Sequence, residues 1–492
     1  MAYLMSLDIG TSSLKTMIID EEGLVKSICA EEYTIEIPHE GFAEQNPEVW
    51  WSAAITTIRK SLNITNITPS EIKCIGISGQ MHGMVLVDKK QNVIRDAIIH
   101  SDQRSRLQVE RINNLIGKEE IGSKTLNSVF PGFQLASLLW VKENEPENYN
   151  RTFKVILPKD YIRMKLTGNT ASDYTDASST LAFNPIDRKW EEDIITRLNI
   201  DIEMYPSLGE SYEIAGYVTK SVSDETGLKR GTPVVYGASD QPMQALGNGV
   251  IKPGTGTSTI GTGGQIYTPV DKPILNRLLN THTFCNITPD TWYMMGAMMS
   301  AGLSLKWFRD NIINNLSYKQ MDEKANEISP GSEGLIFLPY LAGERTPHLN
   351  PNLKGMFFGL TLKHNSANMA RSIMEGVTYG LKDSLEILKT LGADINQIIA
   401  SGGGAQSKLW LQIQADIFGT EIYTTNTIEQ ACTGAAILAG VGIGIYSDFE
   451  EACKVVVKRN PNPIEPIFEN VKKYEYFYEK YKNLYKSNSN IF

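Results

Sequence analysis

One short string occurs twice in this chain, half a chain apart. Residues 8–20 read DIGTSSLKTMIID and residues 259–271 read TIGTGGQIYTPVD. Ile9-Gly10-Thr11 falls on Ile260-Gly261-Thr262, and Asp20 on Asp271, at the same offset of 251 residues. In each copy an apolar stretch enters a Gly/Thr/Ser turn and a β-rich stretch leaves it, which is the pattern of a hairpin with a polar tip. A repeat near half of 492 residues argues for duplication of a whole domain and against a short solenoid unit. Length agrees, because a chain this long exceeds one ordinary core at about 100–200 residues per domain. The boundary is expected near 245–255, around Gly247-Asn248-Gly249 and Pro253-Gly254, giving domains of residues 1–247 and 248–492.

Between the hairpins the pattern is mixed α/β. Residues 71–78 and 232–238 read as short buried strands that end at polar or glycine-rich turns. Residues 366–391 place Met369, Ile373, Val377, Leu381, Leu385 and Leu388 at three- and four-residue steps. That spacing predicts an amphipathic helix, with Ser366 as its N-cap and Gly392 as its stop. A strand at 397–400 runs into SGGGAQS, and a helix follows through Trp410 and Ile413. Tyr474, Tyr478, Tyr481 and Tyr485 form a helical stripe, read as a packing face.

Charge and cysteine content exclude several classes. Acidic residues outnumber basic ones by 56 to 47, spread along the chain with no basic block. This argues against nucleic acid or an anionic membrane as a partner. Five cysteines without a C-x-x-C spacing read as buried reduced thiols. The most apolar stretch, Ala431 to Tyr446, is too short for a membrane span and is broken by glycines, so it reads as a buried helix. The chain starts directly in a strand pattern without a signal-peptide profile, and a soluble, cytoplasmic protein is expected. A homodimer is left open.

Three glycine/hydroxyl turns could receive phosphate: Asp8–Ser13, Thr255–Gly264 and Ser401–Ser407. Small residues let backbone N–H groups approach an anion closely, and the hydroxyls add donors. None fits the G-x-x-x-x-G-K-[ST] loop, yet three such turns, two related by the repeat, suggest a nucleotide held between two similar domains. Asp8, at the end of an apolar strand, is either a turn-forming residue or a Mg²⁺ ligand beside the phosphates. Asp240 ends the strand Val234–Ala238 and precedes a helix through Gln241–Leu246. It is either that helix's N-cap or a base for a substrate hydroxyl. Met81 and His82, in the turn Ser78–Gly83, suit a hydroxyl-rich substrate, with a purely structural histidine as the alternative. Glu344, Arg345 and His348 crowd a loop after the strand Leu335–Pro339, either as an ion-paired hinge or as a binding loop.

Together these motifs resemble the FGGY family of carbohydrate kinases, within the actin-like ATPase superfamily. The likeness runs through DIGTSS, SGQMHG at 78–83, residues 127–145, GASDQPMQALGNGV at 237–250, GTGG at 261–264, residues 339–360 and SGGGAQS at 401–407. Residues 355–375 fit its C-terminal signature through Gly359, Asn368, Ala370 and Glu375. The resemblance implies two ribonuclease H-like α/β domains around a central cleft. It makes Asp240 the general base, and Asp8 the carboxylate associated with Mg–ATP. Met81 and His82, with Asp240 and Gln241, would line the sugar site. Thr11, Ser12, Gly261 and Thr262 would serve the phosphates, and Gly403, Gly404 and Ser407 the adenosine side. The Gln-Met-His-Gly and Gly-Glu-Arg-Thr-Pro-His strings point to the branch that phosphorylates D-xylulose to D-xylulose 5-phosphate. The alternatives are a family member acting on ribulose, gluconate, fuculose or glycerol, or a non-catalytic actin-like nucleotide-binding protein. Such a protein has no chemical need for Asp8 and Asp240. Three positions depart from the family pattern: Gln241 where asparagine is common, His100 where tryptophan is, and Ser137 where lysine is.

Overall fold

Strand β1 (Tyr3–Ile9) is buried along most of its length, because it lies inside a sheet covered on both faces. It turns through Gly10–Ser12 into β2 (Ser13–Asp20), which pairs with β3 (Val25–Glu32). The computed structural model, described for residues 2–313 and 316–489, completes this first sheet with β4 (Ile72–Gly79), β5 (Ile214–Tyr217), β6 (Pro233–Val235) and β7 (Ala238–Ser239). Its order is β5-β6-β4-β1-β2-β3, with β7 also pairing β4. Strands β1, β6 and β7 run parallel to β4, and the other pairs are antiparallel.

The second copy of the hairpin is β8 (Gly254–Ile260) and β9 (Gly264–Val270). With β10 (His282–Cys285), β11 (Trp292–Met298), β12 (Ile395–Ser401) and β13 (Ile422–Tyr423) it forms a sheet ordered β10-β11-β9-β8-β12-β13. The run β3-β2-β1-β4-β6 therefore matches β11-β9-β8-β12-β13, including the parallel pairs β1–β4 and β8–β12. The register matches too: Asp8 lies opposite Ser78, and Thr259 opposite Ser401. The SGQ and SGG strings thus leave equivalent strands. The duplication read from one triplet extends to whole sheets.

Helices fill the faces. Helix α1 (Pro47–Thr65) covers β2 and β3, where Met5, Leu7, Ile9, Leu14 and Ile18 pack with Trp50, Ala54 and Ile58. Helix α2 (Asp240–Gly247) follows β7, and α3 (Gly302–Asn311) follows the second hairpin. Helix α4 (Ser366–Thr390) covers β9 and β11, as α1 does in the first half. Its N-cap is Asn365, which accepts from the Ala367 amide, so the expected cap Ser366 is already the first helical residue. Asn365 is the stronger cap because its side chain also joins a capping box with Asn368.

Helix α5 (Lys408–Phe418) leaves the SGGGAQS loop, α6 (Gln430–Gly442) is the buried apolar helix, and α7 (Phe468–Asn488) carries the tyrosine stripe. Tyr474, Tyr478 and Tyr481 of that stripe are buried in the second core. Helix α6 lies late in the chain yet packs against β1, β4 and α2 of the first sheet. The contact is close: a Cβ on Gly434 would stand 2.1 Å from the Met243 oxygen, and one on Gly247 would stand 1.9 Å from the Gln430 oxygen. Among the described residues no helix is long and apolar enough to cross a membrane, and all five cysteines are free and buried.

Candidate active site

Alternation along β1 decides where its polar groups go. Met5, Leu7 and Ile9 face α1, so Leu4, Ser6 and Asp8 face the α6 side. Asp8 is half-buried at the end of the strand, beside Ser78 of β4 and Lys15 of β2. Its Oδ1 is buried without a hydrogen-bond partner. Burial raises its carboxyl above the ordinary aspartate range, against the opposing pull of Ser78 and Lys15.

Asp240 is the first residue of α2. The N-cap is Ser239, so capping does not account for the carboxylate. Its Oδ1 is likewise buried and unpartnered. Burial, then the charge of Asp8, pushes its carboxyl up to about 7, while the Gln241 donors pull partway back. The two acids therefore feel one another, and each directs an unsatisfied oxygen into the interior.

A buried ion cluster fixes the start of α2. Lys159 Nζ lies 2.6 Å from Asp160, 2.8 Å from Asp173 and 3.4 Å from Asp176. Asp173 accepts from the Thr175 and Ser211 hydroxyls at 2.6 and 2.8 Å, and Thr175 Oγ1 accepts the Ser239 amide at 3.0 Å. The backbone entering Asp240 is thus tied to a fully buried network, which makes its position rigid.

Met81 and His82 follow β4. His82 adopts φ 69°, which turns its ring into the interior. Its Nδ1 donates to the Ser179 carbonyl at 2.8 Å, and the ring stacks on Phe133 with centroids 3.8 Å apart. Burial holds the imidazole neutral, so Nε2 remains as an acceptor. Met81 Sδ lies 3.9 Å from the Tyr293 hydroxyl of β11, and Tyr293 in turn feels the Asp240 charge. Met81, from the first half, therefore meets a tyrosine of the second.

The phosphate-turn residues divide into two groups. At the first hairpin tip, Gly10 O accepts from Tyr33 Oη at 2.7 Å and Thr11 O from Gln45 Nε2 at 2.7 Å. Among the described residues neither the Thr11 nor the Ser12 hydroxyl has a hydrogen-bond partner. Gly261, Thr262, Gly403, Gly404 and Ser407 instead line one cavity of about 550 Å³, with Tyr318, Asp322 and Trp410. The Gly302 and Leu303 amides at the start of α3 bond to Gly261 O and Thr262 O, which fixes this hairpin. Ser407 is also the N-cap of α5, accepting the Trp410 amide at 3.0 Å. Thr11 and Ser12 do not line that cavity.

Three further residues carry weight that the motifs did not signal. Lys15 faces Asp8 across the hairpin and pairs with Glu429, next to α6, at 2.7 Å. Hairpin register alone could have found it, since a four-residue tip at 10–13 sets Asp8 opposite Lys15. Tyr293 and His282 had no such signal, because they reach the first half only through packing of the second sheet, Tyr293 against Met81 and His282 with its ring 6.2 Å from that of Phe133, on which His82 stacks. In the 340–348 loop, Glu344 and Arg345 feel one another's charge, but among the described residues Glu344 forms no close ion pair. Its Oε1 accepts the Met299 and Arg345 amides at 2.9 and 2.8 Å, and burial lifts it to about 8.

The donor set fits Mg²⁺ in part. Among the described residues no group of three or more His, Cys, Asp or Glu forms a self-sufficient metal site. Two carboxylates with orphaned oxygens suit a hard cation that takes its remaining ligands from phosphate and water.

Comparison with known proteins agrees with this architecture. Models of the FGGY family of carbohydrate kinases match residues 3–247 (N-terminal domain) and 255–443 (C-terminal domain). A protein of Staphylococcus epidermidis named xylulose kinase is 36% identical over 99% of this chain and 97% of its own. One of Bacillus subtilis with the same name is 35% identical over 99% and 97%. The crystal structure titled as a xyloylose kinase from Brucella ovis superposes with a TM-score of 0.92 at 31% identity, covering 100% of both chains. With both domain models matched in order and relatives this similar across nearly the full length, the chain belongs to the FGGY family of carbohydrate kinases, ATP-dependent enzymes of the actin-like ATPase fold.

Proposed function

We propose that this kinase transfers the γ-phosphoryl group of ATP to the terminal hydroxyl of D-xylulose, giving D-xylulose 5-phosphate and ADP. The observation that carries the reading is the pair Asp8 and Asp240, each half-buried with an unpartnered oxygen and electrostatically coupled. The relatives named xylulose kinase supply the substrate.

Asp240 accepts a hydrogen bond from the C5 hydroxyl and takes its proton as the oxygen attacks phosphorus. The new O–P bond forms while the bond to the bridging β,γ-oxygen breaks, and ADP leaves. Catalysis of this kind is mostly positioning and charge stabilisation. Met81, His82 and Gln241 hold the sugar, with the neutral His82 Nε2 accepting from a hydroxyl. The tips at Thr11–Ser12 and Gly261–Thr262 hold the phosphates from both sides, while Gly403, Gly404 and Ser407 line the adenosine cavity. Lys15, paired with Glu429 in the free protein, is placed to turn toward the incoming negative charge. Mg²⁺ held by Asp8 would offset phosphate charge when bound. Residues 1–247 thus provide the sugar site and first phosphate hairpin, and residues 248–492 the second hairpin and adenosine loop.

A coupled ADP-release assay tests this across D-xylulose, D-ribulose, L-fuculose and glycerol. D-xylulose should give the highest kcat/KM. A different preferred sugar would displace the substrate assignment, and no sugar-dependent ADP release would remove the enzyme.

A further inference from the structure

A lysine and an aspartate directly opposite on antiparallel strands ordinarily pair, because their Cβ atoms stand about 5 Å apart. Asp8 of β1 and Lys15 of β2 are such residues. Lys15 Nζ nevertheless donates to Glu429 Oε2 at 2.7 Å, and among the described residues it forms no other ion pair. Asp8 Oδ1 is left buried without a hydrogen-bond partner. The three charges still share one field, since Asp8 feels both Lys15 and Glu429. The second hairpin poses no such choice. There Gln265 lies opposite Thr259, whose hydroxyl is engaged with that of Ser401.

Glu429 comes from far along the chain, and several bonds fix where it stands. It is the N-cap residue of α6, yet its side chain does not cap that helix, so the carboxylate is free for Lys15. Its carbonyl accepts from the Thr433 amide and the Thr433 hydroxyl, both at 2.9 Å. Thr427 Oγ1 donates to Gly247 O at 3.2 Å, and Gln430 Nε2 to Thr427 O at 3.0 Å. Further along, α6 lies backbone to backbone on the first sheet. A Cβ on Gly76 would stand 1.8 Å from the Ala435 oxygen. A carboxylate on a close-packed helix is thus presented to an ammonium on a flexible four-carbon stem. The start of the helix favours negative charge there as well. The Lys15 and Glu429 side chains remain 32% and 28% exposed, so an incoming phosphate can reach the ammonium.

We infer that Glu429 is a positioning residue: it holds the Lys15 ammonium off Asp8, which leaves the Asp8 carboxylate open to the divalent cation that accompanies ATP. This rests on the metal-side reading of Asp8 above. A hard cation takes carboxylate oxygens, and a lysine ammonium competes for the same lone pairs. With Glu429 neutral, the strand register would hand Lys15 to Asp8, and a cation would have to displace it before binding. Glu429 acts only through Lys15. It takes no proton and makes no bond in the transfer.

The experiment reads cation binding directly. Mn²⁺, whose free form gives an electron paramagnetic resonance signal, is titrated into the full-length protein with ADP held at one concentration. Wild type, Glu429→Gln, Lys15→Gln and the double variant are compared. Glu429→Gln should weaken Mn²⁺ binding by about 3–10-fold, the scale of one partly exposed ion pair competing for the carboxylate. On the Lys15→Gln background the same substitution should have no measurable effect, because no ammonium remains to fall onto Asp8. The Mg²⁺ concentration that half-saturates sugar-dependent ADP release should rise in step in Glu429→Gln. Unchanged Mn²⁺ binding in Glu429→Gln overturns the inference. An equal loss on both backgrounds also overturns it, because Glu429 would then act through its own charge or through the fold. Asp8→Asn separates the two readings. If that variant binds Mn²⁺ as wild type does, the metal-side reading of Asp8 falls and takes the inference with it, while sugar-dependent ADP release by wild type would leave the kinase reading standing.

Discussion

The two hairpins share a backbone and differ in charge. In the first, Asp8 faces Ser78 on one side and Lys15 on the other. In the second the equivalent of Asp8 is Thr259, whose hydroxyl sits 2.7 Å from that of Ser401, and the residue opposite it, where the first hairpin has Lys15, is Gln265. The first tip is built from Thr11, Ser12 and Ser13, the second from Thr262, Gly263 and Gly264. The glycines let the start of α3 close on the turn. A Cβ on Gly302 would stand 2.4 Å from the Gly261 oxygen. Asp8 and Lys15 have no ionisable counterparts in the second copy, so on the proposed reading one hairpin serves catalysis and the other holding.

The largest effect should come from the charged half. Asp240→Asn should cut kcat by about 10²–10⁴-fold with ATP binding retained, measured by steady-state kinetics and nucleotide titration. Near-normal turnover would remove Asp240 as base. Asp8→Asn against Thr259→Ala then tests the asymmetry directly. The first should lower kcat by roughly 10²–10³-fold, the scale for losing one electrostatic group at a reacting centre. The second loses a neutral hydrogen bond worth about 0.5–1.5 kcal/mol and should change Tm more than kcat. Comparable kinetic losses would show that both hairpins do chemistry.

Gly302→Ala probes the holding half. Overpacking against the Gly261 carbonyl should cost about 1–3 kcal/mol of stability and raise KM for ATP, with the KM for sugar little changed. A further test concerns pH. Asp240 titrates near 7 in the folded protein against 3.8 as the reference, so the folded state retains a proton that the unfolded state releases. That mismatch costs stability as pH rises from about 4 to 7, in full above 7 and not at all below 4. Asp240→Asn removes the cost, so its Tm should exceed that of wild type at pH 8 and converge with it near pH 4. A gap independent of pH would place the origin elsewhere.

Much of the fold was legible because its signals are local. The strands expected at 71–78 and 397–400, observed at Ile72–Gly79 and Ile395–Ser401, the helix through Met369–Leu388 and the tyrosine face of α7 all follow from periodicity and turn chemistry. Helix caps were less so: Asn365 and Ser366 are adjacent capping types, and only the reciprocal bond with Asn368 separates them. Part of the site was legible as polar residues at strand ends. Lys15 required the hairpin register, and Tyr293, His282 and the Lys159 cluster required the packing of distant segments.

The sequence alone determined the doubled hairpin, the α/β character and the acids at the ends of β1 and β7, because each depends on neighbours a few residues away. Tertiary structure decided that α6 returns to the first sheet, that Ser239 rather than Asp240 caps α2, and that Arg345 packs over the Phe130 ring of the first half. These depend on which surfaces meet and which charges are left unpaired, and burial energies of that kind are set by residues hundreds of positions apart.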